Sequence, residues 1–272
     1  MEYITVLSIA GSDCSGGAGI QADIKTLSAL GCYAATAITA ITVQNTQRVQ
    51  SVYPLPPAVV AHQLEAVAED IHLCAVKIGM VTDEAILSVI ADFLSRHAIP
   101  AIFDPVLVSS SGFPLITSEA RKILVDRLIP HCMLVTPNIP EAEFLCGTRI
   151  QSPDDMLRAA IQLRKQGAGN VLIKGGHLSG NDMTDVLVTG ETSENIYYYH
   201  TPRIVSDNTH GTGCTLSSAI AAYVARQYPL PIAVEKGKNY LTQALRKGKD
   251  ISIGRGHGPL NHFFHPEKLI IK

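Results

Sequence analysis

The stretch ITVLSIAGSDCSGGAGIQADIKTLSAL, residues 4–30, sets the reading of the fold. Ile4 to Ala10 reads as a strand. Ala18 to Leu30 reads as a helix with Ile20, Ile24, Leu27 and Leu30 on one face. Between them lies Gly11-Ser12-Asp13-Cys14-Ser15-Gly16-Gly17-Ala18-Gly19. Such a run lets the backbone approach a ligand closely and points helix N-terminal amides at it. It is not a P-loop, because no Lys-Ser/Thr follows the glycines, and it lacks the GxGxxG spacing of a dinucleotide site. Taken alone it reads equally well as a flexible turn. Asp23, one turn into the helix, is either a surface residue or reaches into the cleft.

Moving outward, the same alternation continues. Thr36 to Val43 is strand-like, and Val59, Val60, Leu64, Val67 and Ile71 mark a helix. Ala75 to Ile78 is a short strand and Glu84 to Arg96 a helix. Ala101-Ile102-Phe103 is a strand ending at Asp104, and Ser118 to Leu128 is helical. Met133-Leu134-Val135 is a strand, and Asp154 to Lys165 is a helix closed by Gly167. Val171-Leu172-Ile173 is a strand ending at Lys174. Asp185 to Val188 and Ile196 to Tyr199 flank Gly190 as a hairpin. Helices follow near Cys214 to Arg226 and Ile232 to Arg246. Strands separated by helices of this length imply βαβ units and a mostly parallel sheet covered on both faces. In such sheets ligands bind beyond the carboxyl ends of the strands. Those positions are Gly11-Ser12-Asp13, Gln44-Asn45, Gly79-Met80, Asp104-Pro105, Asn138 and Lys174-Gly175-Gly176.

The chain has 272 residues, 46% hydrophobic and 17% charged, enough apolar material for a full core. No linker or charge run divides it, so residues 1–272 read as one domain. A formal net charge of -2, with no basic stripe, argues against a nucleic-acid partner. The first residues lack the basic flank and apolar stretch of a signal peptide, and no apolar run reaches membrane-spanning length. A cytoplasmic protein is expected. Cys14, Cys32, Cys74, Cys132, Cys146 and Cys214 are scattered, with no CxxC pair, so neither disulfides nor a zinc site is expected.

Four elements carry chemistry. Asn208-Thr209-His210-Gly211-Thr212-Gly213-Cys214 precedes an apolar helix, and Gly211 and Gly213 permit a tight turn. The amides from Gly211 to Cys214 then form an anion hole suited to a transferring phosphoryl group. Simple capping by Thr209 or Thr212 is the bland reading. Lys174, in Lys174-Gly175-Gly176-His177, ends a buried strand, where a lysine is unusual unless it meets a charge such as phosphate. Its alternative is to snorkel to solvent. Asp104 and Glu141, with Asn138, follow strand ends. Magnesium wants few carboxylates plus phosphates and water, which two acids and an asparagine around a triphosphate satisfy. His257, His262 and His265 match no common ligand spacing. Tyr197-Tyr198-Tyr199 reads as strand packing rather than a base-stacking platform.

As a set, GSDCSGGAGIQADIKTLSALG (11–31), TAITAITVQNTQ (36–47), VKIGM (76–80), FDPV (103–106), VTPNIPEAEFL (135–145), IKGGH (173–177), NTHGTGCTLSSAIAA (208–222) and GHGPLNHF (256–263) are distinctive. Together they resemble the hydroxymethylpyrimidine/phosphomethylpyrimidine kinases of the ribokinase-like superfamily. The resemblance implies a ribokinase-like α/β fold, a central mostly parallel sheet between two helical layers, and usually a homodimer. It implies ATP and Mg2+, and two steps. 4-Amino-5-hydroxymethyl-2-methylpyrimidine becomes its monophosphate and then the diphosphate, in thiamine biosynthesis.

Residue roles follow from the same resemblance. Gln44 matches the glutamine that bonds the aminopyrimidine edge, a task for a group that both donates and accepts. Gly11, Ala18, Asp23, Met80 and Val106 match other positions of the substrate pocket. Lys174, Asn138, Thr209 and Lys238 correspond to the nucleotide site, and Asp104 and Glu141 to the metal. Gly211, Gly213 and Lys174 would steady the transferring phosphoryl group. Cys214 stands where many sugar kinases of the superfamily carry an aspartate base. A thiol at a helix N-terminus has a depressed pKa and can accept the hydroxymethyl proton; the alternative is that it only orients substrate. The nearest rival reading is a pyridoxal or pyridoxine kinase. Gln44 and the intact GTGC and GHGPLNHF segments favour the pyrimidine enzyme. A non-catalytic regulator would lack Lys174, Cys214 or an acidic residue. Gly16-Gly17 and Ser109 to Gly112 are the expected movable lids.

Overall fold

The computed structural model describes residues 1–107, 118–176, 182–190 and 195–272. It divides into two compact units, Met1–Val81 with Ile204–Lys272, and Thr82–Arg203.

The first unit opens with β1 (Thr5–Asp13), α1 (Gly19–Ala29), β2 (Tyr33–Gln44), β3 (Val49–Pro54), α2 (Pro57–Asp70) and β4 (Ala75–Ile78). Its strands lie in the order β3-β2-β1-β4. β1 pairs in parallel with both β2 and β4, and β3 turns back antiparallel on β2. β1 is buried along almost its whole length, as a strand covered on both faces must be. It runs three residues beyond the expected end, through an irregularity between Ala10 and Ser12 that carries Asp13 to the strand terminus.

The second unit holds α3 (Glu84–Arg96), β5 (Ala101–Phe103), α4 (Ser118–Ile123) with a π turn (Leu124–Leu128), β6 (Leu134–Val135), α5 (Ile139–Cys146), α6 (Pro153–Lys165), β7 (Val171–Ile173), β8 (Asp182–Val188) and β9 (Ile196–Pro202). β5, β6 and β7 are parallel neighbours, and the β8–β9 hairpin continues antiparallel from β7. Helix starts follow their chemistry. The Asp83 carboxylate accepts from the Ile86 amide, and Ser152 accepts from the Asp155 amide ahead of Pro153. Gly167 turns left-handed, at φ +108°, just past α6.

The chain then returns to the first unit with α7 (Thr212–Ala225) and α8 (Leu230–Gly248). α1 packs on β1, β2 and α7, and α7 packs on β4 and α8.

Three expectations need correction. Ile24 is 37% exposed, whereas the neighbouring Asp23 is buried. The core-facing stripe of α1 is Ile20, Asp23 and Leu27, because Asp23 has a buried cation to meet. β3 and α5 were not anticipated. β3 is mostly exposed and so carries no apolar alternation. α5 had a readable start: Asn138 and Glu141 form a reciprocal capping box. The cysteines are all free. Cys32, Cys132 and Cys146 are buried, and burial pushes the Cys32 thiol up to about 12. Cys14 is exposed.

Candidate active site

In the first unit the glycine loop after β1 is organised by one carboxylate. Asp13 Oδ1 accepts from the Ser15 amide (2.8 Å) and hydroxyl (2.7 Å). Its Oδ2 accepts from the Gly17 amide (3.1 Å), the Ala18 amide (2.8 Å) and His210 Nε2 (2.9 Å). Burial alone would raise the Asp13 pKa, but bonds from His210, Ser15, Gln44 and the Ala18 amide overcome it and hold the carboxyl well below the usual range.

Two glycine segments interlock here. Gly211 has φ +86°, and a Cβ there would sit 2.0 Å from the Gly17 carbonyl oxygen. A Cβ on Gly17 would meet His210 Cδ2 at 2.4 Å. Only glycine allows both approaches. Gly211 is also the N-cap of α7, with no side-chain cap, so neither Thr209 nor Thr212 caps the helix. The first turn of α7, with Gly213 and Cys214, follows directly on this junction. Asn208 braces it from behind: its Nδ2 donates to the Gly248 and Ile251 carbonyls, both at 2.6 Å.

The loop of Gly16 and Gly17, expected to be a movable lid, is instead tied down. Asp13 grips it, and Lys25 Nζ donates to the Gly16 carbonyl at 2.8 Å. The second expected lid, 109–112, lies outside the described residues, as does His177.

Gln44 ends β2 beside this cradle, its Nε2 3.4 Å from His210 Nε2. Cys14 Sγ touches the Gln44 carbonyl at 3.1 Å. Met80 lies against Gly11, where a Cβ would meet Met80 Cε at 2.5 Å, and its carbonyl accepts from Thr39 Oγ1 at 2.9 Å. Gly11, Ala18, Gln44, Met80 and the Gly211–Cys214 turn thus stand at one end of this unit's strands. Asp23 does not join them. It is fully buried, with both oxygens 2.9 Å from Lys77 Nζ and further bonds from Ser8 (2.6 Å) and Ser218 (2.8 Å). That saturation removes it from contact with a ligand, contrary to expectation. Lys238 is buried on α8, and Thr209 is exposed before the glycine turn.

In the second unit, Lys174 Nζ donates to Asp104 Oδ1 at 2.6 Å, and Asp104 also accepts from Thr136 Oγ1 at 3.1 Å. The Asn138 amide donates to Glu141 Oε2 (2.8 Å), and the Glu141 amide donates to Asn138 Oδ1 (2.9 Å). Lys174 bridges Asn138 through its backbone. Glu141 is pushed up to about 7, chiefly by burial, with Lys174 opposing and Asp104 adding to the rise. Val106 is half-buried two residues past Asp104. Two buried acids thus lie within electrostatic reach of one lysine. Magnesium needs few protein carboxylates and completes its shell with phosphate and water, so the donors fit it.

Elsewhere, His262 Nε2 bonds Thr215 Oγ1 at 3.0 Å, and His257 Nδ1 faces the Asp207 carbonyl at 3.2 Å. Sequence reading passed over three residues. Asp13 and His210 were seen only as parts of their motifs; the sign was an acid heading one glycine loop and a histidine inside another. Lys77 was signalled by a lone cation in an apolar strand.

The phosphomethylpyrimidine kinase family model matches residues 13–261. A hydroxymethylpyrimidine/phosphomethylpyrimidine kinase of Rhizobium meliloti is 46% identical over 94% of this chain and 96% of its own length. The thiamine biosynthesis bifunctional protein ThiED of Geobacter sulfurreducens is 46% identical over 97% of the chain, which spans about half (53%) of that longer protein. Among solved structures, a Clostridium difficile phosphomethylpyrimidine kinase is 44% identical with a TM-score of 0.79, over 89% of this chain and 99% of its own. A Staphylococcus aureus pyridoxal kinase bound to ADP is 33% identical with a TM-score of 0.88, over 97% of this chain and 94% of its own. The alternation of strands and helices, the ribokinase-like α/β fold and the motif order agree with these matches, and the chain belongs to the phosphomethylpyrimidine kinase family.

Proposed function

We propose that this kinase transfers a phosphoryl group from ATP to 4-amino-5-hydroxymethyl-2-methylpyrimidine, and a second to the resulting monophosphate, in thiamine biosynthesis. The observation that carries the reading is Gln44 at the rim of the Asp13-organised glycine cradle, next to the anion-binding turn that opens α7. An amide offers the donor and acceptor that a 4-aminopyrimidine edge requires. Gly11, Ala18 and Met80 of the same unit would line the pocket for the ring, and Val106 is a further substrate position that the family resemblance implies.

Phosphoryl transfer rests on positioning and charge compensation more than on covalent chemistry. The backbone at Gly211 and Gly213, backed by the α7 dipole, steadies charge on the moving phosphoryl oxygens. Lys174, with its charge held by Asp104, adds a cation for the nucleotide phosphates, with Asn138 beside it in the second unit; Thr209 and Lys238 are the nucleotide positions that the family resemblance implies in the first. Asp104 and Glu141 would hold Mg2+, which when bound supplies compensation of phosphate charge. Cys214, in the first turn of α7, takes the hydroxymethyl proton as the oxygen attacks. A pyridoxal kinase in complex with ADP supports nucleotide use in this fold. Residues 1–272 work as one kinase.

A homodimer is in keeping with the open face where β2 and β3 pair. Ile41 lies opposite Tyr53 there, beside Val43, and Tyr53 is 60% exposed. Light scattering should give twice the chain mass, and Tyr53→Glu should shift it to the monomer. Among the described residues no helix is long and apolar enough to cross a membrane. A cytoplasmic location without nucleic-acid partners is the accompanying expectation.

The deciding experiment is product analysis with MgATP and the aminopyrimidine alcohol, with pyridoxal in parallel. Monophosphate followed by diphosphate is the expected result; phosphorylation of pyridoxal alone would move the assignment to vitamin B6 salvage. Cys214→Ala should lower kcat by about 10²–10⁴-fold, the usual worth of a positioned base. Near-normal turnover would reduce the thiol to an orienting role.

A further inference from the structure

The hairpin that carries Gln44 turns back through residues 45–48, and Gln44 itself pairs with Val49. Within the turn, Asn45 Oδ1 accepts from the Gln47 amide at 2.9 Å and the Arg48 amide at 3.1 Å. Asn45, Gln47 and Arg48 are exposed, but Thr46 among them is half-buried. Its cover is a glycine-rich loop from the far end of the chain, residues 254–258. Thr46 Oγ1 accepts from two successive amides there, Gly256 at 3.1 Å and Arg255 at 3.3 Å. The glycines permit the approach. A Cβ on Gly254, which has φ +75°, would meet Thr46 Oγ1 at 2.4 Å, and one on Gly256 would meet the Thr46 carbonyl oxygen at 2.1 Å.

The same loop runs on to the turn that opens α7. His257 Nδ1 faces the Asp207 carbonyl at 3.2 Å, and a Cβ on Gly258 would meet Asn208 Oδ1 at 2.0 Å. The Gly258 carbonyl accepts from the His210 amide at 3.1 Å. His210 in turn faces Gln44, with Nε2 of each 3.4 Å apart. A circuit of contacts therefore runs from Gln44 through Thr46 and the 254–258 loop to His210 and back. Thr46 is the point at which an exposed hairpin end, otherwise among the least fixed parts of a fold, is fastened to the phosphate side of the site.

We propose that Thr46 is a positioning residue: its hydroxyl latches the Gln44 hairpin to the 254–258 loop and so holds the ring-recognising side chain in register with the anion-binding turn. This rests on the reading of Gln44 as the contact to the pyrimidine edge. Affinity for the ring then depends on an oxygen two residues beyond the group that touches it. Serine keeps that oxygen, whereas valine keeps the shape of threonine and loses the acceptor.

The test compares Thr46→Val with Thr46→Ser. In Thr46→Val the KM for the aminopyrimidine alcohol should rise about tenfold, with KM for MgATP and Tm little changed, because the exposed amides that lose their acceptor turn to water. Thr46→Ser should stay within about twofold of wild type in the same KM. Gly256→Ala, which pushes on the latch from the loop side, should give the valine pattern. KM for both substrates rising together with a falling Tm in Thr46→Val would overturn the proposal, and so would a wild-type KM in that variant. Hydrogen exchange reads the latch without turnover: residues 44–48 and 254–258 should both exchange at least about tenfold faster in Thr46→Val than in Thr46→Ser. Equal exchange in the two variants would refute the latch. Wild type inactive on the aminopyrimidine would instead sink the kinase reading, and exchange would still judge the latch by itself.

Discussion

Each unit of this chain contains a lysine–aspartate pair, and the two are chemically alike but differently placed. In the first, Lys77 on β4 meets Asp23 on α1 at 2.9 Å, and both side chains are 0% exposed. In the second, Lys174 just past β7 meets Asp104 just past β5 at 2.6 Å, with exposures of 15% and 3%. The buried aspartate has both oxygens filled, by the lysine and by Ser8 and Ser218. The other has a second acid, Glu141, in its electrostatic reach. Position along the strand separates them. A lysine in mid-strand is enclosed, whereas one just past the strand end keeps part of its surface in solvent.

The most damaging way to probe this contrast is to remove one partner of the enclosed pair. Lys77→Met leaves the buried Asp23 without its cation, which should cost about 3–5 kcal/mol and lower Tm by roughly 10 °C. Adding Asp23→Leu should restore most of that loss, because replacing both ions with apolar groups is often neutral. Thermal unfolding of the single and double variants reads both. If the double variant melted as low as the single, the pair would hold more than its own charges.

The second probe crosses from stability to rate. Lys174→Ala, assayed well below its Tm, should cost about 10²–10³-fold in kcat, the usual penalty for losing one stabilising donor, and should lower Tm by less than Lys77→Met, because this lysine keeps some contact with solvent. Activity lost through unfolding instead would erase the distinction between the pairs.

A third probe sharpens the account of the first unit's core, which also contains an uncharged histidine. His262 is lowered to about 4, first by burial and then by Lys25. Its pKa is therefore lower folded than unfolded, so the unfolded chain takes up the proton first as pH falls. Stability should drop between about pH 6.5 and 4, by up to about 3 kcal/mol. Denaturant titration of His262→Gln across that range should show a flatter curve.

The smallest effect compares two helix caps. Asp83→Ala and Asn138→Ala should each cost about 1 kcal/mol in urea unfolding. Only the Asn138 variant should also weaken nucleotide binding, since only that cap lies beside Lys174.

These contrasts mark where the residue pattern was readable. β4, α3, β5 and β7 fell where periodicity put them, because apolar runs bounded by polar or glycine residues leave little choice. Lys174 and Asp104 were visible as charges past strand ends. Asp23 was misjudged, since helical spacing does not say whether a cation waits on the opposing strand, and here Lys77 does. Asp13 and His210 are 197 positions apart, and local pattern does not reveal such a pairing. β3 escaped because its side chains are mostly in solvent, where alternation has no cause.

The interlock of Gly17 with Gly211 also bears on the order in which the protein can be made. β1 and α1 leave the ribosome early, and Asp13 and Lys25 can grip their loop, but Gly17 has no Gly211 to lock against until all of the second unit and the start of α7 have followed. Closing so long a stretch of chain is slow, and nothing local can substitute for the missing backbone. The nascent first unit must therefore wait with its cradle unlocked. Pulse-labelled hydrogen exchange during refolding should find the amides of Gly17 and Ala18 protected among the last, well after those of β1. Early protection there would mean that Asp13 shapes the loop without help from the far end of the chain.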